Sequence, residues 1–192
     1  MSVKYHIRYL TLGGGKFLAQ LLTVGLDTIE KEYFDLYDRD DVPWMEREDM
    51  FFYNEKINMS GSHVFTFREI AKLENLIFIN TMHEASCNKI EQRNQYVPTA
   101  MENSDVKNIR IKYHNECYGF LKSNNIDFFD FDFQNFWNRE HFLKSMHELG
   151  KHFDINFDTE VLKYAHKKWS NANLRGWNDY NKANKITKIG RS

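Results

Sequence analysis

The stretch from Lys4 to Leu22 constrains this chain more than any other. Its first part, Lys-Tyr-His-Ile-Arg-Tyr-Leu-Thr-Leu, is β-branched and aromatic and reads as a strand. Gly13, Gly14 and Gly15 follow, then Lys16, then Phe17, Leu18, Leu21, Leu22 and Leu26 at helical spacing. Strand, glycine turn and helix in that order aim backbone N–H groups at a phosphate or sulfate. Three glycines remove every Cβ from the turn, so the backbone can take positive φ and approach an anion closely. The helix adds the positive end of its dipole. The competing use of such a stretch is a tight strand-to-helix turn that holds no ligand.

The remaining segments supply the sheet. His63 to Phe67 reads as a second strand and Leu76 to Asn80, Leu-Ile-Phe-Ile-Asn, as a third. The near-continuous apolar character of the third implies burial on both faces, hence a parallel sheet covered by helices. Ile126 to Phe133 alternates enough to be a fourth strand. Between and after them, helices are expected over Trp44 to Lys56 behind Pro43, Thr81 to Tyr96, Asp105 to Lys122 and Asn135 to Phe153. Gly150 reads as the cap of that last helix, and Asp158 as the N-cap of a further one over Val161 to Asn171. The aromatic stripe from Phe128 to Trp137 reads as core. Strands alternating with helices predict an α/β fold, a three-layer doubly wound and mostly parallel sheet. In such a sheet ligands bind beyond the carboxyl ends of the strands. That gathers Gly13 to Lys16, Phe67 with Arg68, and Asn80 to His83 around one crevice.

Length and charge narrow the function classes. The 192 residues fit one domain, expected over 1–180, with a basic tail at 181–192 carrying Lys182, Lys185, Lys188 and Arg191. A net charge of −1 offers no general surface for nucleic acid or acidic membrane. Lys4, His6 and Arg8 interrupt the first apolar stretch, so no secretory signal is expected, and no apolar run is long enough to span a bilayer. Cys87 and Cys117 are too few for a disulfide framework or a Cys-based zinc site. A soluble cytoplasmic protein is the expectation. The abundance of Asn, Lys, Ile, Phe and Tyr suits an AT-rich genome such as a phage or a streamlined bacterium; for a phage the compartment is the host cytoplasm.

Three segments resemble the sulfotransferase-like branch of the P-loop nucleotide-binding fold. Thr11-Leu12-Gly13-Gly14-Gly15-Lys16-Phe17-Leu18 lies where that family has its phosphosulfate-binding loop. Val64 to Phe67 and Leu76 to Ile79 resemble its next strands. Phe128 to Phe133, the helix to Leu149 and the closing run from His166 through Trp169 to Asn173 resemble its late strand, helix and His…Trp…Asn ending. The departures are specific. A Walker loop needs Gly-Lys-Ser/Thr, but Phe17 follows Lys16 here, which disfavours magnesium-dependent ATP hydrolysis. The loop lacks the family's hydroxyl residues, and no arginine closes the third strand, where Asn80-Thr81-Met82-His83 stands.

The resemblance implies a sulfotransferase-like enzyme that moves a sulfuryl group from 3′-phosphoadenosine 5′-phosphosulfate to a hydroxyl or amine. The acceptor would be a small molecule or a glycan. Such transfer needs cations and N–H donors for developing oxygen charge, and a base for the acceptor proton. Lys16 is the candidate point charge, with Gly13, Gly14, Gly15, Lys16 and Phe17 as the cofactor cradle. His83 is the candidate base, with His63 behind it. Arg68 is the candidate cation at the second strand's end, and Ser86 and Arg93 could hold a nucleotide phosphate. Cys87 with His83 could form a nucleophile pair, though a helical thiol is usually inert packing. Asp38, Asp40 and Asp41 could hold a cation but read better as a solvated loop. Two alternatives stand beside the enzyme: a catalytically silent binding module of the same fold, and a nucleotide kinase-like phosphotransferase, which the missing hydroxyl after Lys16 weakens.

Overall fold

In the strand Leu76–Asn80, alternate side chains enter different clusters, and that sets the layers. Ile77 and Ile79 pack into one cluster with Phe17, Leu18, Phe142 and Trp169, while Leu76 and Phe78 pack into another with Ile70, Cys117 and Leu121. Successive strand residues point to opposite faces, so helices cover this strand on both sides. The computed structural model describes residues 4–10, 14–39, 50–60, 66–81 and 104–173.

The sheet is four-stranded and parallel throughout, in the order β2-β1-β3-β4, with β1 Tyr5–Arg8, β2 Ile57–Ser60, β3 Leu76–Asn80 and β4 Phe129–Asp132. Arg8 aligns with Ser60 on one side and Phe78 on the other; β3 and β4 run on together to Asn80 and Asp132. On the first face lie α1 (Gly15–Asp27), a 3₁₀ segment (Lys31–Asp38), and a second 3₁₀ segment (Phe133–Trp137) that leads into the later helices. Those later helices are α4 (Arg139–Phe153) and α5 (159–173). The other face carries the short α2 (Phe67–Ile70) and the long α3 (Ser104–Ser123). The expected doubly wound α/β sheet is therefore present at the level of an all-parallel layer covered on both faces.

Local chemistry explains where elements begin. Asn138 caps α4 by accepting the Glu140 and His141 N–H groups, and Asp158 caps α5 through the Glu160 and Val161 N–H groups. Gly150 is not a cap. Asp154, at φ 54°, closes α4, and Gly150 is a close-approach site, where a Cβ would sit 2.5 Å from the Ile155 carbonyl oxygen. Phe131, Phe133 and Phe136 are fully buried, so the aromatic stripe is core.

The second strand lies earlier than its composition suggests. β2 is Ile57–Ser60; of the strand expected over His63 to Phe67, residues 63–65 lie outside the described residues, and Thr66 caps a helix that Phe67 begins. Thr66 and Glu69 form a reciprocal capping box: the Thr66 hydroxyl accepts the Glu69 N–H at 3.3 Å and the Glu69 carboxylate accepts the Thr66 N–H at 2.7 Å. The helix expected to end at Lys56 is also absent over 51–56, where the chain turns into β2. The fourth strand is shorter than Ile126 to Phe133, because Phe133 already starts a 3₁₀ segment.

Candidate functional site

The strand order reverses once in this sheet. β1 connects outward to β2 on one side, and the chain then returns past β1 to β3, so the order reverses between β1 and β3. Beyond the carboxyl ends of those two strands is where a doubly wound sheet binds ligands. The turn into α1 follows β1 there, and Asn80 and Thr81, both buried polar residues, follow β3.

Gly14 is the N-cap of α1, at φ 78° and ψ 10°, a left-handed conformation that glycine adopts without penalty. Its carbonyl accepts the Leu18 N–H at 3.0 Å, the first bond of the helix. An α-helix offers no internal acceptor to the N–H groups before that bond, which here belong to Gly15, Lys16 and Phe17. Gly14 has no side chain to cap them. The absence of Cβ atoms also has a packing cause. A Cβ on Gly14 would lie 2.7 Å from the Phe136 ring, and one on Gly15 would overlap the Tyr9 ring. Both glycines are thus required by aromatic rings pressed against the turn, with or without a ligand in front of it.

Lys16 is half-buried at the second position of α1. Phe17 is fully buried, stacked on Trp169 at 4.8 Å and Phe142 at 5.9 Å, with Phe34 and Tyr37 edge-on. Its side chain belongs to the core, so what it can offer a ligand is its backbone N–H.

Arg68 stands elsewhere than expected. It is exposed on α2, five residues of connection before β3 begins, not at the carboxyl end of β2. Its neighbour Phe67 packs on Tyr113 at 4.8 Å and Phe120 at 5.6 Å, along the flank of α3. Gly13, His63, His83, Ser86, Cys87 and Arg93 lie outside the described residues. Of Asp38, Asp40 and Asp41, Asp40 and Asp41 also lie outside the described residues, and Asp38 shares a lysine with Asp35. Both hold Lys168 of α5, Asp35 at 2.7 Å, and the Tyr164 hydroxyl donates to Asp35. Among the described residues no group of three His, Cys, Asp or Glu side chains could hold a metal.

Arg8, the last residue of β1, interrupts an apolar run in the sequence, yet it is completely buried. Its guanidinium lies over the Tyr113 ring at 5.8 Å, close enough to Cys117 and His114 to act on their titration. His114 donates from Nε2 to the Ile79 carbonyl at 3.1 Å, since a carbonyl only accepts. Burial first and the Arg8 charge second push the imidazole down to about 4, so it is neutral at pH 7. Burial raises the Cys117 thiol against the opposing pull of Arg8. The available signal was period two: Tyr5 and Ile7 face one layer, so His6 and Arg8 face the other, which a doubly wound sheet also covers.

No helix among the described residues is long and apolar enough to cross a membrane. Comparison with protein-family models, curated proteins and solved structures finds no match to this chain.

Proposed function

We propose that the chain binds a phosphosulfate-type nucleotide at the start of α1 and acts as a sulfotransferase-like enzyme. One observation carries this reading. A helix that opens on a left-handed glycine, with a lysine in its first turn, starts at the switch point of a parallel sheet. The N–H groups of Gly15, Lys16 and Phe17 fit a terminal sulfate or phosphate, as does the Lys16 ammonium as a point charge. A bound 3′-phosphoadenosine 5′-phosphosulfate supplies an activated sulfuryl group. The chain's part is to orient that end and to neutralise oxygen charge as it develops. Arg68, out on α2, is not a partner of Lys16 in this reading. The base and the 3′-phosphate contacts fall to His83, Ser86 and Arg93.

A second reading, a binding module without catalysis, is favoured by the rings against Gly14 and Gly15, which account for both glycines without a ligand. A kinase-like reading is weaker, because the residue after Lys16 is a buried phenylalanine with no hydroxyl for magnesium.

Titration calorimetry with adenosine 3′,5′-bisphosphate tests the proposal. Saturable binding that Lys16→Ala abolishes is the expected result. No binding at about 1 mM, a concentration where even a weak complex of roughly −4 kcal/mol would form, overturns it.

A further inference from the structure

We propose that Phe136 and Trp169 form an aromatic wedge that sets the geometry of the Gly14–Phe17 turn and, through it, the affinity of the site at the start of α1. The inference rests on the reading of that turn as a ligand site. Two positions of the turn are held by side chains from distant parts of the chain. Trp169 lies flat on Phe17, with ring centroids 4.8 Å apart and planes 8° apart. Phe136 occupies the space where a Cβ on Gly14 would be, and it packs on Phe17 at 5.8 Å and on Trp169 at 5.6 Å. One wedge therefore touches the turn on both sides of Lys16.

The wedge is itself anchored to α5. His166 donates from Nε2 to the Phe136 carbonyl at 2.9 Å, and its ring packs on Phe142 at 4.8 Å. Asn173 donates to the Trp169 carbonyl at 2.8 Å. Lys168, next to Trp169, ties α5 to the Lys31–Asp38 segment through Asp35 and Asp38. Hydrogen bonds to an anion weaken steeply with angle. The directions of the Gly15, Lys16 and Phe17 N–H groups follow the backbone that the wedge holds. Phe136 and Trp169 are positioning residues: they need no contact with the ligand, because they act through the turn.

The test uses the full chain labelled with ¹⁵N, as wild type, Trp169→Phe and Trp169→Leu. N–H residual dipolar couplings report bond direction and are insensitive to ring currents. The couplings of Gly14, Gly15, Lys16 and Phe17 are measured, with those of β3 as the reference for an intact sheet. Calorimetry with adenosine 3′,5′-bisphosphate runs in parallel. Trp169→Phe, which keeps a flat ring on Phe17, should preserve both couplings and affinity. Trp169→Leu should rotate the turn couplings, leave those of β3 in place, and weaken binding on the order of tenfold, as small misplacements of binding groups do. Unchanged turn couplings in Trp169→Leu overturn the wedge whatever the calorimetry shows. Rotated couplings in a chain whose wild type binds no nucleotide uphold the wedge and sink the nucleotide reading instead. Should Trp169→Leu fail to fold, Phe136→Leu leaves the Phe17–Trp169 stack intact and is read by the same couplings.

Discussion

The indole of Trp169 lies parallel to the ring of Phe17, within 8°, between two helices, α5 and α1, at opposite ends of the described chain. Stacked and edge-on rings add to the burial term. Phe17 meets five of them: Phe34, Tyr37, Phe136, Phe142 and Trp169. The residue after Lys16 is thus occupied as packing, and its chemistry is fixed by that use.

Phe17→Thr would write the Gly-Lys-Thr order of a Walker loop into the sequence. We expect no magnesium-dependent ATP hydrolysis from it. We expect instead a loss of about 3–5 kcal/mol in urea unfolding, the range for emptying a buried aromatic site. A loss below about 1 kcal/mol would mean that the stack contributes little.

Gly15 is the first residue of α1, where alanine is intrinsically better than glycine by at most the roughly 1 kcal/mol of a helix interior. Overlap with the Tyr9 ring should reverse that sign, so Gly15→Ala costs about 1–3 kcal/mol as an overpacked site. In a Tyr9→Ala background the same change should be neutral or stabilising. A double-mutant cycle with equal costs in both backgrounds would remove Tyr9 as the reason for the glycine.

His114 makes stability depend on pH. Its folded-state value of about 4 lies below the ordinary 6.5. As pH falls below 6.5 the unfolded chain takes up the proton first, so stability drops between about pH 6.5 and 4 and levels off below that window. The drop attributable to this group is on the order of 3 kcal/mol. His166 is shifted in the same direction by burial and adds to it. Urea unfolding from pH 7.5 down to 5 should show a shallower loss in His114→Gln, which keeps a donor toward Ile79. Equal slopes in the two proteins would exclude His114 as a source.

Lys168→Ala removes the cation that Asp35 and Asp38 share. Hydrogen bonds from Lys168 and then Tyr164 hold the Asp35 carboxyl below the usual carboxylate range. Both carboxylates are partly exposed, so the cost should be about 1 kcal/mol, read as a modest drop in melting temperature. It should shrink at about 1 M salt, where screening acts within a few ångströms. A cost that does not move with salt would point to the ammonium's contact with the Tyr164 ring, 4.9 Å from its centroid.

How legible these features were depended on how many physical signals agreed. Leu76 to Asn80 is a strand at the bounds its apolar run suggests, since no helix-period pattern competes there. The helix expected over Asp105 to Lys122 is present as α3, and Asp158 caps α5 as its side-chain chemistry suggests. At Thr66 and Phe67 aromatic and β-branched composition outweighed Thr66-x-x-Glu69, a helix-start signature written in the same few residues. The glycine turn was legible as a turn, but Phe136 and Tyr9 as the reason for its glycines were not. Nothing local in the sequence says which distant ring will press on a backbone. Arg8 was missed for a related reason: a charged residue reads as exposed until the sheet's second cover is known.

The parallel order β2-β1-β3-β4 and the stack on Phe17 together prescribe a sequence of events in time. β1 finds both of its neighbours only after a long stretch of chain has followed it, and non-local pairing of this kind slows folding. The pocket around Phe17 closes later still, because Trp169 leaves the ribosome long after α1. Until then Phe17 and the apolar face of α1 lack that cover, the kind of surface that aggregates or recruits chaperones in partly made chains. The first helix of the described chain is among the last to be sealed.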